Sequence, residues 1–304
     1  MRRYFLDQGQ RANQLKTVGL VALVATLIGA VAHLVFGPLG IIGTLAFLAV
    51  GSNVRFSPEW SIRYQGGRPL AYYSAPELHE LVSVLARRAR VRTPTLMYIP
   101  SDVPNAMATG RADGPSAIGI TRGALAVLDR RELTGVLAHE IAHLLHGDTR
   151  LFQWTGLATQ SLVKALRIAL WLTAGVAILG GTGLTLVLQL AVLATLVPMG
   201  LIVLTAALSR TREFAADQKA AELTGDPRAL ASALSRLQRF ERRWWHRAFR
   251  APELPSALRT HPSTEERVDR LLRLTANVPE STRRAIPSFF SSRAAPPFFS
   301  SPIR

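Results

Sequence analysis

The pattern of apolar positions divides the chain into segments of two kinds. Residues 17–36, TVGLVALVATLIGAVAHLVF, carry no acidic, lysine or arginine side chain over a length that spans a bilayer. A Gly37-Pro38-Leu39-Gly40 turn follows, and a second uncharged run occupies 39–54 before Arg55. The length of the first run, its His33 and the apolar run that follows at once predict a transmembrane hairpin rather than a cleaved signal peptide. A second apolar hairpin is predicted at 156–208, turning at Gly180-Gly181-Thr182-Gly183. Its second arm, 184–209, is uncharged, with Pro198 as an expected kink. Its first arm contains Lys164 and Arg167 and leaves only 168–179 free of charge, too short to span alone. Either the two cations snorkel to the cytoplasmic side or this arm is partly embedded.

Between and after the hairpins the periodicity changes. Residues 75–90 (APELHELVSVLARRAR) have helical spacing, with Pro76 at the first turn. Residues 95–99 (TLMYI) and 116–121 (SAIGIT) have the length and composition of short strands. Leu133, Val136, Leu137, Ile141, Leu144 and Leu145 recur at helical spacing. Asp129 and Glu132 form a capping-box signature before them, and Gly147 closes the helix. Later helices are predicted over 211–223, over 228–247 after the Gly225-Asp226-Pro227 break, and over 264–275. From Pro279 onward the chain is rich in Pro, Ser and Arg and repeats Phe-Phe-Ser-Ser, which predicts a disordered tail.

The expected organisation is therefore a basic N-terminal segment (1–16), a first transmembrane hairpin (17–54), the first part of a domain outside the membrane (55–155), a second hairpin (156–208), the second part of that domain (209–278) and the tail (279–304). The fold class is mainly α: an integral membrane protein of about four transmembrane helices with an α+β domain built on a small sheet.

Charge and composition sharpen this picture. The chain has 304 residues and a net charge of +16, with only Lys16, Lys164 and Lys219 as lysines. Basic residues (the N-terminal segment, Arg55, Arg63, Arg150, Arg210, Arg212) flank both hairpins on one side, and the loops at 37–40 and 180–183 are uncharged. The positive-inside rule then places both termini and the parts at 55–155 and 209–278 in the cytoplasm. Trp244 and Trp245 among arginines fit a membrane-interface patch. The charge therefore needs no nucleic-acid partner, and no nucleic-acid-binding motif is present. With no cysteine, disulfides, thiolate metal sites and cysteine nucleophiles are excluded, so metal ligands must be His, Asp or Glu.

The candidate chemistry lies in His139-Glu140-Ile141-Ala142-His143, which matches H-E-x-x-H. On a helix, positions i and i+4 share a face, so the two imidazoles converge on one point where a zinc ion can accept both. Glu140 reaches the water at the open position and serves as general base. A third ligand is needed. Glu213 and Asp217 also stand at i and i+4, and spacing alone allows two roles: a ligand with its orienting partner, or ion-pair partners of Arg210 and Arg212. His33, His79, His146 and His246 are not expected to be ligands.

HEIAHLLHGD at 139–148 together with SRTREFAAD at 209–217 resembles the HtpX-type membrane zinc metalloproteases, relatives of the eukaryotic CAAX prenyl protease. Asn105-Ala106-Met107-Ala108-Thr109-Gly110 and Thr260-His261-Pro262-Ser263-Thr264-Glu265-Glu266-Arg267 match two further segments, and the resemblance covers about residues 1–275. Met107 and Ser263 stand where the family commonly has Phe and Pro. The resemblance implies a zincin-like catalytic domain with one Zn2+ per chain on His139, His143 and Glu213; Asp217, the orienting partner that the spacing allows, would then accept the outer N–H of a zinc histidine. It implies that the SAIGIT strand is the exposed edge of the sheet, where an extended substrate adds as a strand along Ile118, Gly119 and Ile120, with Asn105 positioning the backbone. His261 is the candidate oxyanion donor, or else a cap of the following helix. Arg267 either pairs with an acid near the site or lies on a solvated face.

The function expected is membrane-embedded endoproteolysis of unfolded or misfolded proteins in a bacterial plasma membrane, with polypeptide substrates and the lipid bilayer as partners. Prenyl-protein processing is the alternative role within the resemblance. A non-proteolytic scaffold would have lost a ligand or the base, and all four residues are present. A transporter would place polar residues inside several spans.

Overall fold

The computed structural model describes residues 57–147, 184–249 and 263–275 and scattered positions within 19–45 and 163–179; the first hairpin, His261, Asp148 and the tail lie outside the described residues or are described only in part. The chain divides into two units. One comprises Phe56–Arg150, Arg212–Leu254 and Pro262–Arg304, and the other Met1–Arg55, Leu151–Thr211 and Pro255–His261.

The first unit is mainly helical around a small mixed sheet. It begins with α1 (Pro58–Tyr64), β1 (Arg68–Pro69) and a 3-10 turn (Tyr72–Ser74). These are followed by α2 (Pro76–Ala89), β2 (Thr95–Ile99), β3 (Ala106–Gly110), β4 (Ser116–Thr121), α3 (Arg122–Val127) and α4 (Arg130–His146). α5 (Leu184–Thr224), α6 (Pro227–Phe249) and α7 (Thr264–Thr275) complete the described elements. The helix expected over 211–223 is the last part of α5, because Ser209-Arg210-Thr211 contains no breaker and Pro198 is accommodated inside the helix.

The sheet order is β1-β2-β4-β3. β2 and β4 run parallel, and β3 pairs antiparallel with β4 in the register Ala106↔Ile120 to Gly110↔Ser116. This corrects the expectation for SAIGIT. The strand is interior, hydrogen-bonded on both sides and buried at all six positions, so Ile118, Gly119 and Ile120 cannot receive a substrate strand. Alternate side chains account for its place. Ile118 and Ile120 enter the main core with Leu96, Leu133, Leu137 and Ile141. On the other face Ala117 and the bare Gly119 leave room for Ile62 of α1; a Cβ at Gly119 would come within 2.9 Å of Ile99 and 3.1 Å of Ile62. β1 and β3 are the two edges of this sheet, and β3 is the one beside β4.

The helix carrying HEIAH starts and stops as its sequence predicts. The Glu132 N–H donates to Asp129 and the Asp129 N–H to Glu132, each at 2.9 Å, and Gly147 ends the helix at φ 71°. The buried Glu132 carboxylate also accepts from Ser232 Oγ at 2.6 Å and contacts Arg236 at 3.2 Å, tying α4 to α6. Where these helices cross, a Cβ on Gly135 would lie 2.9 Å from the Leu230 nitrogen and 3.0 Å from its Cα. Gly135→Val should therefore push α6 away from α4 and destabilise this unit by about 1–3 kcal/mol despite valine's better helix propensity. Thermal unfolding of the purified variant checks this, and an unchanged midpoint would show that the crossing tolerates a side chain.

Candidate metal centre

Five side chains from three helices meet beside one turn of α4. α4 presents His139 and His143 on one face, and the Nε2 atoms lie 3.1 Å apart. α5 brings Glu213, whose Oε2 is 3.4 Å from His139 Nε2 and whose Oε1 is 3.7 Å from His143 Nε2. Among the described residues, these three form the group whose ligand atoms all lie within 4.8 Å of one another. Ligands of a tetrahedral zinc, at about 2.0–2.1 Å from the ion, stand roughly 3.3 Å apart. The spacing here is close to that, so the donors fit a small divalent ion.

Asp217, one turn along α5, lies 3.0 Å from His139 Nδ1 through Oδ1, the position of a carboxylate that fixes a ligand's tautomer with Nε2 free. Arg267 comes in from α7. Its Nε and Nη2 donate to the two oxygens of Asp217 at 2.7 Å each, and its Nη1 lies 2.9 Å from Glu213. The acids therefore pair with Arg267, from a remote segment, and with His139. Arg212 instead donates to the His146 carbonyl at 2.9 Å, at the end of α4, and so fixes α5 against α4 one residue before Glu213. His146 stands outside the metal-competent group.

The charges are strongly coupled. Burial opposes charge on His139, but the Asp217 and Glu213 carboxylates, as acceptors for the imidazolium, outweigh it and push the imidazole up to about 10. Burial raises the Glu140 carboxyl, and Glu213 adds to the rise, while His139, His143 and the backbone N–H of Ala108 pull the other way. Asp217 is held below its ordinary value because its bonds to Arg267 and His139 overcome the cost of burial. Arg267 is raised for the reciprocal reason, Asp217 outweighing its burial. Once His139 is neutral, as a metal ligand must be, the ionised carboxylates of Glu140, Glu213 and Asp217 would outnumber the Arg267 guanidinium that faces them. Burying that excess unpaired is costly, and a bound cation removes the cost.

Glu140 faces the edge strand. The Thr121 N–H donates to the Asn105 carbonyl at 3.0 Å, so by antiparallel alternation residues 105, 107 and 109 bond β4, while Ala106 and Ala108 turn their backbone groups outward. The outward N–H of Ala108 reaches the Glu140 carboxylate. The exposed Asn105 precedes this edge. Two features escaped the reading of the sequence. β3, composed of Ala, Met, Thr and Gly, lacks the β-branched and aromatic pattern of a strand. Arg267 was left between two roles, although its place in the sequence held the clue: it sits at helical spacing from Leu271 and Leu274, a charge inside an apolar stripe.

Arg267→Ala should lower metal affinity by about 10–100-fold, the usual cost of losing an outer partner. Arg267→Lys should restore little, because an ammonium cannot make the two parallel bonds to Asp217. Competition with a chromogenic chelator measures both variants, and wild-type affinity in the alanine variant would rule out the clamp.

A helix-borne imidazole pair, a carboxylate from a second helix and a glutamate turned toward an open strand define the class: the chain is a metal-dependent peptidase of the H-E-x-x-H type. The pattern of Peptidase family M48 matches residues 73–275. The chain belongs to that family. It is 34% identical over 280 residues to a "Protease HtpX homolog" of Salinibacter ruber, covering 85% of this chain and 97% of that protein. It is 37% identical over 283 residues to a "Protease HtpX homolog" of Acaryochloris marina, covering 86% and 94%. The crystal structure of S. mikatae Ste24p aligns with a TM-score of 0.48 and 20% identity, covering 87% of this chain and 66% of that one.

Proposed function

We propose that this peptidase is a zinc endopeptidase, anchored in a bacterial plasma membrane, that cleaves extended or unfolded segments of misfolded membrane and cytoplasmic proteins. The carrying observation is the His139, His143 and Glu213 group beside the open edge of β3. A zinc ion held by His139, His143 and Glu213 would supply Lewis acidity to the reaction. Glu140 takes the proton of the attacking water at its carboxylate and delivers it to the leaving amine nitrogen. Asp217 and Arg267 hold His139 and Glu213 in place. A substrate strand laid along β3 bonds through the backbone groups of Ala106 and the Ala108 carbonyl, a mode that selects extended chain over particular side chains.

Among the described residues no helix is long and apolar enough to cross a membrane. The side chains at 201, 202, 204, 205 and 208 of α5 are outside that set. The membrane reading is supported by the uncharged runs at 17–36, 39–54 and 184–208. It is supported too by the exposed face of α5 formed by Leu188, Val192, Leu196, Met199 and Val203, which water would not favour. The hairpins at 17–54 and 156–208 then hold both termini and the catalytic parts on the cytoplasmic side.

Detergent-purified protein should cleave unfolded casein, lose the activity to a chelator and regain it with stoichiometric zinc. Activity indifferent to the chelator would remove the metal from the reaction. Stoichiometric zinc bound without any cleavage would leave the centre standing and sink the broad substrate range.

A further inference from the structure

α1 buries one residue and displays two large ones. Ile62 is fully buried against Met97, Ile99 and Ala117, and its methyl groups occupy the space beside Gly67 and Gly119. On the outer face Trp60 is 60% exposed and Tyr64 83% exposed. Standing four residues apart, the two rings stack at 5.9 Å between centroids, 25° from parallel. The helix itself is held firmly: Thr109 Oγ1 donates to the Pro58 carbonyl at 2.5 Å, and Gln65 Nε2 reaches the Met107 sulfur at 3.3 Å. A rigid pair of exposed amphipathic rings marks a contact surface rather than a folding requirement.

We propose that Trp60 and Tyr64 seat the catalytic unit in the headgroup layer of the bilayer. This rests on the membrane reading above and specifies the surface through which the unit meets the lipid. Three observations favour lipid as the occupant. The uncharged run at 39–54 ends at Arg55, only five residues before Trp60, and five residues reach at most about 18 Å. The ring pair therefore stays close to the boundary where that run leaves the hydrocarbon. Tryptophan and tyrosine are the side chains that boundary favours, an apolar ring with a polar tip. The exposed Arg68 follows the pair, and Arg55 precedes it by five residues in the sequence, while Arg63 is paired with Glu59 at 2.7 Å; the remaining cations complement anionic headgroups. The seat would hold the β3 edge and the metal centre at a fixed height above the membrane surface.

Because the chain has no cysteine, single cysteines report without background. The full-length protein would be reconstituted in vesicles containing anionic lipid, as Tyr64→Cys, Leu45→Cys and Asp113→Cys variants, each carrying an environment-sensitive fluorophore. Retained zinc binding confirms each fold. The labels at 45 and 64 should lose emission to quencher-bearing lipid, and the label at 113, on an exposed turn, should respond only to an aqueous quencher. Lipid quenching at 45 with water-like behaviour at 64 would overturn the seat and leave the membrane reading intact. Shielding at 64 that appears only on adding unfolded casein would also overturn it, in favour of a substrate contact. A label at 45 that lipid does not quench would overturn the membrane reading and the seat together.

Discussion

Glu140→Gln should reduce casein cleavage by about 10²–10⁴-fold while leaving bound metal stoichiometric, with the loss falling on kcat rather than KM. The range is that of a general acid–base group. The argument rests on where Glu140 stands relative to its neighbours. It is on the motif helix but not in the ligand group, which His139, His143 and Glu213 complete without it. Its carboxylate faces β3 through the Ala108 N–H. A glutamine keeps the volume and the acceptor for that N–H but cannot take a proton. Substrate and metal should therefore bind and the reaction should stall. Equal cleavage by wild type and variant would mean a contaminant or another site. A variant that loses its metal would move Glu140 from base to ligand support.

The second large effect is expected at Glu213, the proposed third ligand. Glu213→Ala should lower zinc affinity by more than the 10–100-fold that loss of an outer partner costs, and should abolish cleavage at ordinary zinc levels. The two imidazoles would remain, but Glu213 contacts both of them and also Arg267 Nη1. Its removal leaves a guanidinium beside the metal position with only Asp217 to balance it. Metal binding stabilises the folded wild type by mass action, so zinc should raise the wild-type melting temperature and leave that of the variant almost unchanged. Wild-type zinc content in Glu213→Ala would take this residue out of the ligand set.

The parts of the centre that were legible in the sequence are those encoded over a turn or two of helix. The i, i+4 imidazoles, the Asp129–Glu132 capping box and the Gly147 stop depend on neighbours along the chain, and they stand as read. Glu213 and Asp217 were visible as a pair on one face, but spacing could not choose between arginine partners and a metal. The choice depends on α7, whose Arg267 arrives from a distant segment. Sheet order was the weakest inference, because it depends on long-range packing. SAIGIT reads as a strand at either the edge or the interior. Its lack of polar alternation was the available sign of burial on both faces, and Gly119 is what admits α1 against it. The true edge, β3, owes its strand conformation to pairing with β4 rather than to its own residues.

The centre draws on α4, α5 and α7, which leave the ribosome in that order. A nascent chain that has emerged only through His143 has two imidazoles and no third ligand. One that has emerged through Asp217 has the carboxylates but not the guanidinium that orders them. The hydrolytic centre is thus the last feature of the catalytic unit to be completed. While the chain is still extended, it has no complete metal centre with which to attack itself.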